Sequence, residues 1–239
     1  MKHTLRSLLF AATLATPLLA ADAPNYAIQP VLHPGTEKRH ESFNVISKKG
    51  EAELVFLGDS ITHSWEGRGK AVWEKTWAPL KAANFGISGD RTEHVLWRLD
   101  HGNFDGLKPK AIVLMIGNNN MFFTPETGVP AAAQGIRTCA ANLREKFPAA
   151  TLIVAKILPC HSPKDRFYQD IAATNAELDK LALDQDPKVK VLDLTKDFLN
   201  ADGTIRAELY LPDKIHLSLA GYEAYAQRLK PLLPALTQK

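Results

Sequence analysis

The sequence predicts a three-layer α/β/α domain built on a five-stranded parallel sheet with the flavodoxin-like strand order 2-1-3-4-5. Three observations support this fold class. Short, fully apolar runs alternate with segments of helical periodicity along residues 51–239, and strands that are buried on both faces have this apolar pattern. Turn-forming residues follow the apolar runs. Right-handed crossovers between successive parallel strands then favour a doubly wound sheet.

Five apolar runs are the predicted strands, and Ala111–Ile116 is the strongest of them. The other four are Leu54–Leu57, Ala82–Phe85, Thr151–Ile157 and Val189–Leu192. Helical periodicity predicts helices over Ala71–Trp77, Thr92–Leu99, 129–147, 166–184 and Leu219–Leu233, and a short helix over 41–48 that ends at Gly50. Strand and helix therefore alternate, as they do when helices cover both faces of a parallel sheet.

The chain divides into three predicted segments. Residues 1–20 have the pattern of a secretory signal peptide, because Lys2 and Arg6 precede the apolar stretch Leu8–Leu19 and small residues follow at Ala20 and Ala21. That stretch is too short to span a bilayer comfortably. We therefore expect cleavage and a secreted or periplasmic protein rather than a membrane anchor. Residues 21–50 predict an N-terminal arm with the short helix, and residues 51–239 predict the main domain.

The charge balance excludes some classes of partner. The formal net charge of +3 falls to +1 without residues 1–20, which contain Lys2 and Arg6 and no acidic residue. The lysines and arginines form no continuous run. Such a chain has no electrostatic bias toward nucleic acid or anionic membranes, so we expect neither a nucleic-acid partner nor stable membrane insertion.

The two cysteines, Cys139 and Cys160, allow two interpretations. An exported protein can join such a pair in a disulfide, but a domain of this size does not need one, and small buried side chains are the simpler interpretation. The sequence contains neither C-x-x-C nor H-E-x-x-H spacing, so we expect no metal site.

Candidate catalytic residues follow the predicted strands, where doubly wound sheets bind their ligands. Ser60 follows the first strand at a Gly-Asp turn and suits either a nucleophile or a helix N-cap. Asp213 precedes His216 by three residues, so its carboxylate can orient the imidazole as a base. Asn119 lies in a run of three asparagines and Gly89 in a glycine-rich turn. Both suit oxyanion donors, although each also suits an ordinary turn.

Together these segments resemble the SGNH, or GDSL-type, hydrolases. Gly58-Asp59-Ser60, Gly89, Gly117-x-Asn119 and Asp213-x-x-His216 occur in the order and spacing of that family. The resemblance runs from about residue 54 to residue 229, and segments 84–90, 94–99 and 215–218 are similar to the catalytic subunits of brain-type platelet-activating-factor acetylhydrolase. Asn120 stands where many members have Asp, a position that we interpret as structural. A G-x-S-x-G elbow is absent from the sequence, which argues against the α/β-hydrolase family.

The resemblance implies the SGNH hydrolase fold and a role for each matched residue. Ser60 would be the nucleophile, His216 the general base and Asp213 the group that orients it. The Ser60 and Gly89 amides and the Asn119 side chain would form the oxyanion hole. The chemistry implied needs no cofactor. Because the acetylhydrolase relatives form dimers, a homodimer is the assembly that the resemblance suggests.

Residues beside these groups are candidates for the substrate pocket. They are Ile61, His63, Asn118, Phe122, Phe123 and Ile215. Branched side chains at positions 61 and 215 would crowd a long acyl chain, which predicts a short acyl group, most simply acetyl. His63 could contact the leaving group or be a solvated loop residue. Phe122 and Phe123 follow the Asn119 loop and suit a pocket wall.

Other polar and aromatic residues have weaker claims to function. We expect Asp59 to hydrogen-bond backbone around the turn that carries Ser60. Arg91 and His94 open a predicted helix and suit substrate contact or structure equally. Trp73 and Trp77 have helical spacing, which is typical of packing residues.

The sequence thus predicts an exported serine acetylesterase that acts on acetylated carbohydrate. Export and the lack of a basic patch favour a polar, soluble ester as substrate. One alternative keeps the chemistry and changes the substrate to a phospholipid or lysophospholipid acyl ester. The other is an inactive carbohydrate-binding protein on the same fold, which would be expected to lack one of the matched residues.

Overall fold

The computed structural model describes residues 25–123, 128–233 and 236 of the chain. Within them, five parallel strands form one sheet in the order β2-β1-β3-β4-β5. The strands are β1 Leu54–Gly58, β2 Ala82–Gly86, β3 Ala111–Met115, β4 Thr151–Ala155 and β5 Val189–Leu192. The predicted fold class and strand order are therefore confirmed. The predicted signal peptide lies outside the described residues.

Helices cover both faces of the sheet. They are α1 Glu37–Lys49, α2 Ser60–His63, α3 Lys70–Thr76, α4 Thr92–Leu99, α5 Asn118–Phe123, α6 Gly128–Lys146, α7 Arg166–Lys180, α8 Thr195–Phe198 and α9 Leu219–Leu229. The sequence prediction missed α5 and α8 and gave no bounds for the helix expected near Ser60, because four to six residues are too few to display helical periodicity.

Several element ends differ from the predicted ones for local reasons. Helix α1 begins at Glu37, four residues before the predicted start. Strand β4 ends at Ala155 rather than Ile157. The polar backbone groups of Ile157 are bound by the Asn175 side chain instead of a neighbouring strand. Asn175 Oδ1 accepts from Ile157 N at 3.0 Å, and Nδ2 donates to Ile157 O at 2.8 Å. Helix α9 ends at Leu229 and is followed by the 3-10 turn Lys230–Leu232, because Pro231 within this turn has no N–H to continue the helix.

The strands alternate their side chains between two hydrophobic cores. Val55 and Leu57 point to one face, which α4, α6 and α7 cover together with Phe43 of α1. Leu54 and Phe56 point to the other face, which is covered by α9 and by Trp65 and Trp77. Every residue of β1 is buried, as expected for the central part of a sheet covered on both sides. Cys139 and Cys160 are buried free thiols, in line with the packing interpretation.

Close packing at the carboxyl ends of the strands brings α2 onto β2. Gly58 and Gly86 are register partners at the ends of β1 and β2. A Cβ atom on Gly86 would lie 2.2 Å from the His63 backbone nitrogen and 2.6 Å from the Thr62 carbonyl carbon. Glycine at this position therefore lets the backbone of α2, which begins at Ser60, approach the sheet directly.

We expect Gly86→Ala to destabilise the protein by about 1–3 kcal/mol, because the added methyl group meets backbone that cannot move away as a side chain can. Gly67→Ala is the matched control, since a Cβ there has its nearest neighbour at 3.9 Å and Gly67 has a negative φ of −112°. Urea unfolding of the two variants measures the difference. Equal stability of the two variants would show that α2 does not need this close approach.

Candidate active site

Ser60 is the first residue of α2 and is not its N-cap. Asp59 occupies the N-cap position, and its Oδ1 accepts from Ile61 N at 3.0 Å. The N-cap interpretation of Ser60 is therefore wrong, and its hydroxyl lies 2.9 Å from His216 Nε2. As the first helical residue, Ser60 has no carbonyl partner for its N–H within the helix.

His216 is held by a tight loop that begins at Asp213. Asp213 Oδ2 lies 2.8 Å from His216 Nδ1, while Oδ1 accepts from the backbone N–H groups of Ile215 and His216 at 2.9 Å. Lys214 has a left-handed φ of 59°, which lets the loop close so that carboxylate and imidazole face each other. Nδ1–H donates to this carboxylate, so Nε2 is available to accept the Ser60 hydroxyl proton.

The Asp213 carboxylate stays ionised in this loop. Partial burial raises its pKa, but hydrogen bonds from Ile215 N, His216 N and the His216 ring outweigh that effect and hold the pKa below its ordinary value. An ionised partner on Nδ1 stabilises the imidazolium that forms when Nε2 takes up a proton. The arrangement can therefore activate the hydroxyl of Ser60.

Gly89 follows β2 and Asn119 follows β3, the two strands that flank β1. Asp90 N donates to Ile87 O at 3.1 Å, which closes a turn with Gly89 at a φ of 84°, a conformation that favours glycine. The donor of this turn bond is the Asp90 N–H, so among the described residues the turn does not occupy the Gly89 N–H. Asn119 is buried in α5 and donates from Nδ2 to Asp90 O at 2.9 Å. An amide nitrogen has two hydrogens, so the second remains for a ligand.

Asp90 anchors both of these candidate donors. Its peptide follows Gly89 directly, and its carbonyl accepts from Asn119. Its carboxylate is fully buried, accepts from His33 Nδ1 at 2.8 Å, and lies 2.6 Å from Arg98 Nη2 in an ion pair. His33 belongs to the N-terminal arm, and a Cβ on Gly89 would meet His33 Cε1 at 3.0 Å. The arm thus packs directly against the turn that carries Gly89.

Arg91 and His94 lie behind this turn in a structural network. The Arg91 backbone N–H donates to His94 Nδ1 at 3.1 Å, and the Arg91 guanidinium pairs with Glu93. Desolvation lowers the pKa of His94 to about 3, despite the attraction of Asp90. A buried neutral imidazole whose nitrogen accepts from backbone is a packing residue. Asn120 also joins this network, since its Oδ1 accepts from Thr92 N at 3.1 Å.

Asp59 has an unusual ionisation beside Ser60. Burial raises the pKa of its carboxyl to about 7, and the nearby Asp90 adds to the rise, although the hydrogen bond from Ile61 N opposes it. The expected role of Asp59, binding backbone around the turn, agrees with this geometry. This carboxyl caps α2 from a buried position directly before the serine.

The pocket candidates differ in how far their side chains are exposed to solvent. Ile61 and Asn118 are buried, and Ile215 is half-buried and packs against the core. His63 is partly exposed, with Nδ1 3.0 Å from Ser88 Oγ, and burial lowers its pKa, assisted by Arg39. Phe122 and Phe123 are the exposed members, at 55% and 56%.

One cluster of possible metal ligands lies near this site. Among the residues that the structure describes, ligand atoms of His33, Asp90 and His94 lie within 4.8 Å of one another. These atoms already have protein partners: His33 Nδ1 donates to Asp90, His94 Nδ1 accepts from Arg91 N, and Arg98 pairs with Asp90. The Arg98 charge also opposes a cation, so we assign no metal to this cluster.

Comparison with known proteins identifies the family. Residues 56–224 match the model of the GDSL-like Lipase/Acylhydrolase family. Platelet-activating factor acetylhydrolase IB subunit alpha1 of Homo sapiens is 35% identical over 198 residues, which covers 81% of this chain and 80% of the relative. Subunit alpha2 of Rattus norvegicus is 33% identical over 201 residues, with 84% of each chain covered. The chain belongs to the GDSL-like lipase/acylhydrolase family, and it is therefore an ester hydrolase by family.

Solved structures share the fold at low sequence identity. A GDSL-like lipase from Bacteroides thetaiotaomicron aligns with a TM-score of 0.65 at 19% identity, over 83% of this chain and 97% of the other. An acetyl xylan esterase from Geobacillus stearothermophilus aligns with a TM-score of 0.60 at 19% identity, over 77% and 95% of the two chains. These alignments support the fold. Within the described residues, none of the helices combines the length and apolar character needed to cross a membrane.

Sequence reasoning gave no role to Asp90, Arg98 or His33. Asp90 and Arg98 lie inside segments 84–90 and 94–99, which carry the family resemblance. Their opposite charges within these segments could have predicted a buried ion pair. His33 had none, because it lies 57 residues from Asp90 in a polar, proline-containing arm without periodicity. Only the folded chain brings it to the turn at Gly89.

We expect His33→Ala to lower kcat for 4-nitrophenyl acetate about five- to tenfold with a smaller change in KM, because Asp90 loses one hydrogen bond that fixes the Gly89 turn. Val31→Ala is the control: Val31 lies on the same arm, is 47% exposed, and keeps its backbone bond from Val31 N to Glu93 O. Steady-state kinetics with a parallel urea unfolding curve separates this effect from instability. If both variants kept the wild-type kcat, the arm would not position the turn.

Proposed function

We propose that the protein is an exported serine esterase that removes short acyl groups, acetyl in particular, from carbohydrate esters. The observation that carries the chemistry is the hydrogen-bonded chain from Ser60 through His216 to Asp213, at 2.9 and 2.8 Å. The two candidate oxyanion donors, Gly89 and Asn119, follow the strands on either side of β1 and are joined through Asp90. Nucleophile, base, orienting group and oxyanion donors are what ester hydrolysis needs.

The reaction proceeds through an acyl-enzyme. Ser60 Oγ attacks the ester carbonyl carbon while its proton passes to His216 Nε2. The Ser60 and Gly89 N–H groups and the Asn119 amide stabilise the oxyanion. Its collapse breaks the bond to the leaving alcohol, which takes the proton from His216. Water then loses a proton to His216 and attacks the acyl-serine, and Ser60 recovers its proton as the carboxylic acid leaves. No step requires a cofactor.

A short acyl group is supported by the packing around Ser60. Ile61 follows the serine and is only 4% exposed, with its carbonyl held by Tyr222 Oη at 2.7 Å. Ile215 packs on the opposite core, and Asn118 is buried. Close packing of the residue next to Ser60 favours a short acyl group over a long one.

Two parts of the proposal, a soluble carbohydrate ester as the substrate and export of the protein, are supported by the sequence. Residues 1–20 carry the pattern of a signal peptide, and the chain has no basic run to attract it to anionic lipid. The second candidate is a phospholipid or lysophospholipid acyl ester, because a relative at 35% identity is named a platelet-activating factor acetylhydrolase subunit. An inactive binding protein is disfavoured, since all the matched catalytic residue types are present. Homodimerisation stays a prediction.

We expect acetate release from acetylated xylo-oligosaccharides, and a kcat/KM for 4-nitrophenyl esters that falls at least tenfold between the acetyl and octanoyl esters. Ser60→Ala should abolish both activities, while Ser42→Ala, at an exposed serine of α1 whose hydroxyl donates to Arg39 O, is the control. The same assay with a short-chain phospholipid tests the second candidate. A preference for acyl chains of eight carbons or more would contradict the short-acyl proposal, and an unaffected Ser60→Ala variant would contradict the mechanism.

A further inference from the structure

A row of four aromatic side chains, two of them exposed and two half-buried, borders the candidate active site. Phe122 and Phe123 meet edge to face with ring centroids 5.0 Å apart, and Phe122 meets Phe167 in the same way at 5.6 Å. His161 continues the row, 5.7 Å from Phe167. We call Phe122, Phe123, His161 and Phe167 the aromatic shelf. Phe122 and Phe123 expose more than half of their surface, whereas Trp65 and Trp77 are fully buried.

The aromatic shelf is connected on two sides to segments that carry the proposed catalytic residues. Phe122 follows Asn119 by three residues in α5, so it lies one helical turn away from a candidate oxyanion donor. At the other end, His161 N donates to Lys214 O at 3.2 Å, within the loop that joins Asp213 to His216. The shelf therefore spans the side of the site between the oxyanion donor and the base.

The groove over the aromatic shelf has a polar rim. Its volume is about 350 Å³, and it is lined by Met121, Phe122, His161, Asp165, Arg166, Phe167 and Asp170. Arg166 is 85% exposed and lies 3.4 Å from Asp170. Asp165 Oδ1 accepts from Phe167 N at 2.8 Å, so this carboxylate is fixed beside the shelf. An apolar floor with a few fixed polar groups is typical of a small-molecule site.

The chemistry of this groove fits a sugar ring better than an acyl chain or a lipid surface. The apolar C–H face of a pyranose packs on aromatic side chains, and its hydroxyl groups can donate to carboxylates and accept from a guanidinium. An acyl chain would require an enclosed apolar channel, but the two phenylalanines are more than half exposed. An anionic lipid surface would require a basic rim, and this rim has two carboxylates to one guanidinium.

We propose that the aromatic shelf is the leaving-group subsite, where the pyranose ring of an acetylated sugar packs while its ester carbonyl lies at the oxyanion donors. This inference rests on the proposed carbohydrate esterase function. It assigns the sugar side of the substrate to α5 and the 161–167 segment, and it leaves the acyl side to the crowded space near Ile61 and Ile215.

The test compares a sugar ester with an ester that has no ring. The quantity measured is the ratio of kcat/KM for acetylated xylotriose to kcat/KM for ethyl acetate. We expect Phe122→Ala and Phe123→Ala each to lower this ratio about five- to tenfold, through a higher KM for the sugar ester, because each variant loses an aromatic face against which the ring packs. Phe122→Trp keeps an aromatic face and should retain most of the ratio.

Tyr26→Ala is the control for loss of an exposed aromatic residue, because Tyr26 is 50% exposed and lies in the N-terminal arm. Its ratio should equal that of the wild type. An unchanged ratio in both phenylalanine variants would overturn the subsite, as would an equal loss on both esters, which would mean that the residues support α5 rather than bind sugar. If the wild type released no acetate from acetylated xylotriose while hydrolysing ethyl acetate, the carbohydrate function itself would fail.

Discussion

A hydrogen bond of 2.9 Å between Ser60 Oγ and His216 Nε2 joins two segments that are 156 residues apart in the chain. Neither end can hold this geometry alone. Ser60 depends on the capping of α2 by Asp59 and on the close approach to β2 that Gly86 permits. His216 depends on the loop in which Asp213 accepts hydrogen bonds from Ile215 N, His216 N and His216 Nδ1. The parallel sheet supplies the common frame, because its strands end at one edge and bring their following loops together.

The oxyanion side of the site depends on a second, buried interaction. Asp90 connects the Gly89 turn, Asn119, Arg98 and His33, so donors from two strand ends share one anchor. Buried charge without a partner is strongly unfavourable, which makes Arg98 and His33 part of this anchor. The N-terminal arm packs as part of the domain. Phe43 lies in the core, and Arg39 Nε donates to Gly86 O at 2.7 Å.

The sequence was sufficient for the parts of the molecule that depend on local patterns. Fully apolar runs such as Leu54–Leu57 predicted buried parallel strands, and the spacing of Asp213 and His216 predicted a pair within one loop. It could not place His33, because contacts across 57 residues leave no periodic signal in a short arm. The sequence also could not predict whether the side chains of Phe122 and Phe123 are buried or exposed, because their exposure depends on how α5 packs. Ser60 was ambiguous until the structure showed that Asp59 takes the cap.

The central claim is that Ser60 carries the acyl group during turnover. Rapid mixing with 4-nitrophenyl acetate, acid quench and peptide mass spectrometry tests it most directly. The account predicts one acetyl group per chain on the peptide containing Ser60, and none in Ser60→Ala. Asn119→Ala, which weakens the oxyanion hole but keeps the nucleophile, should carry the same acetyl group after slower labelling. Acetylation at another residue during turnover, for example Ser88 near His63, or turnover without a labelled serine, would contradict the account.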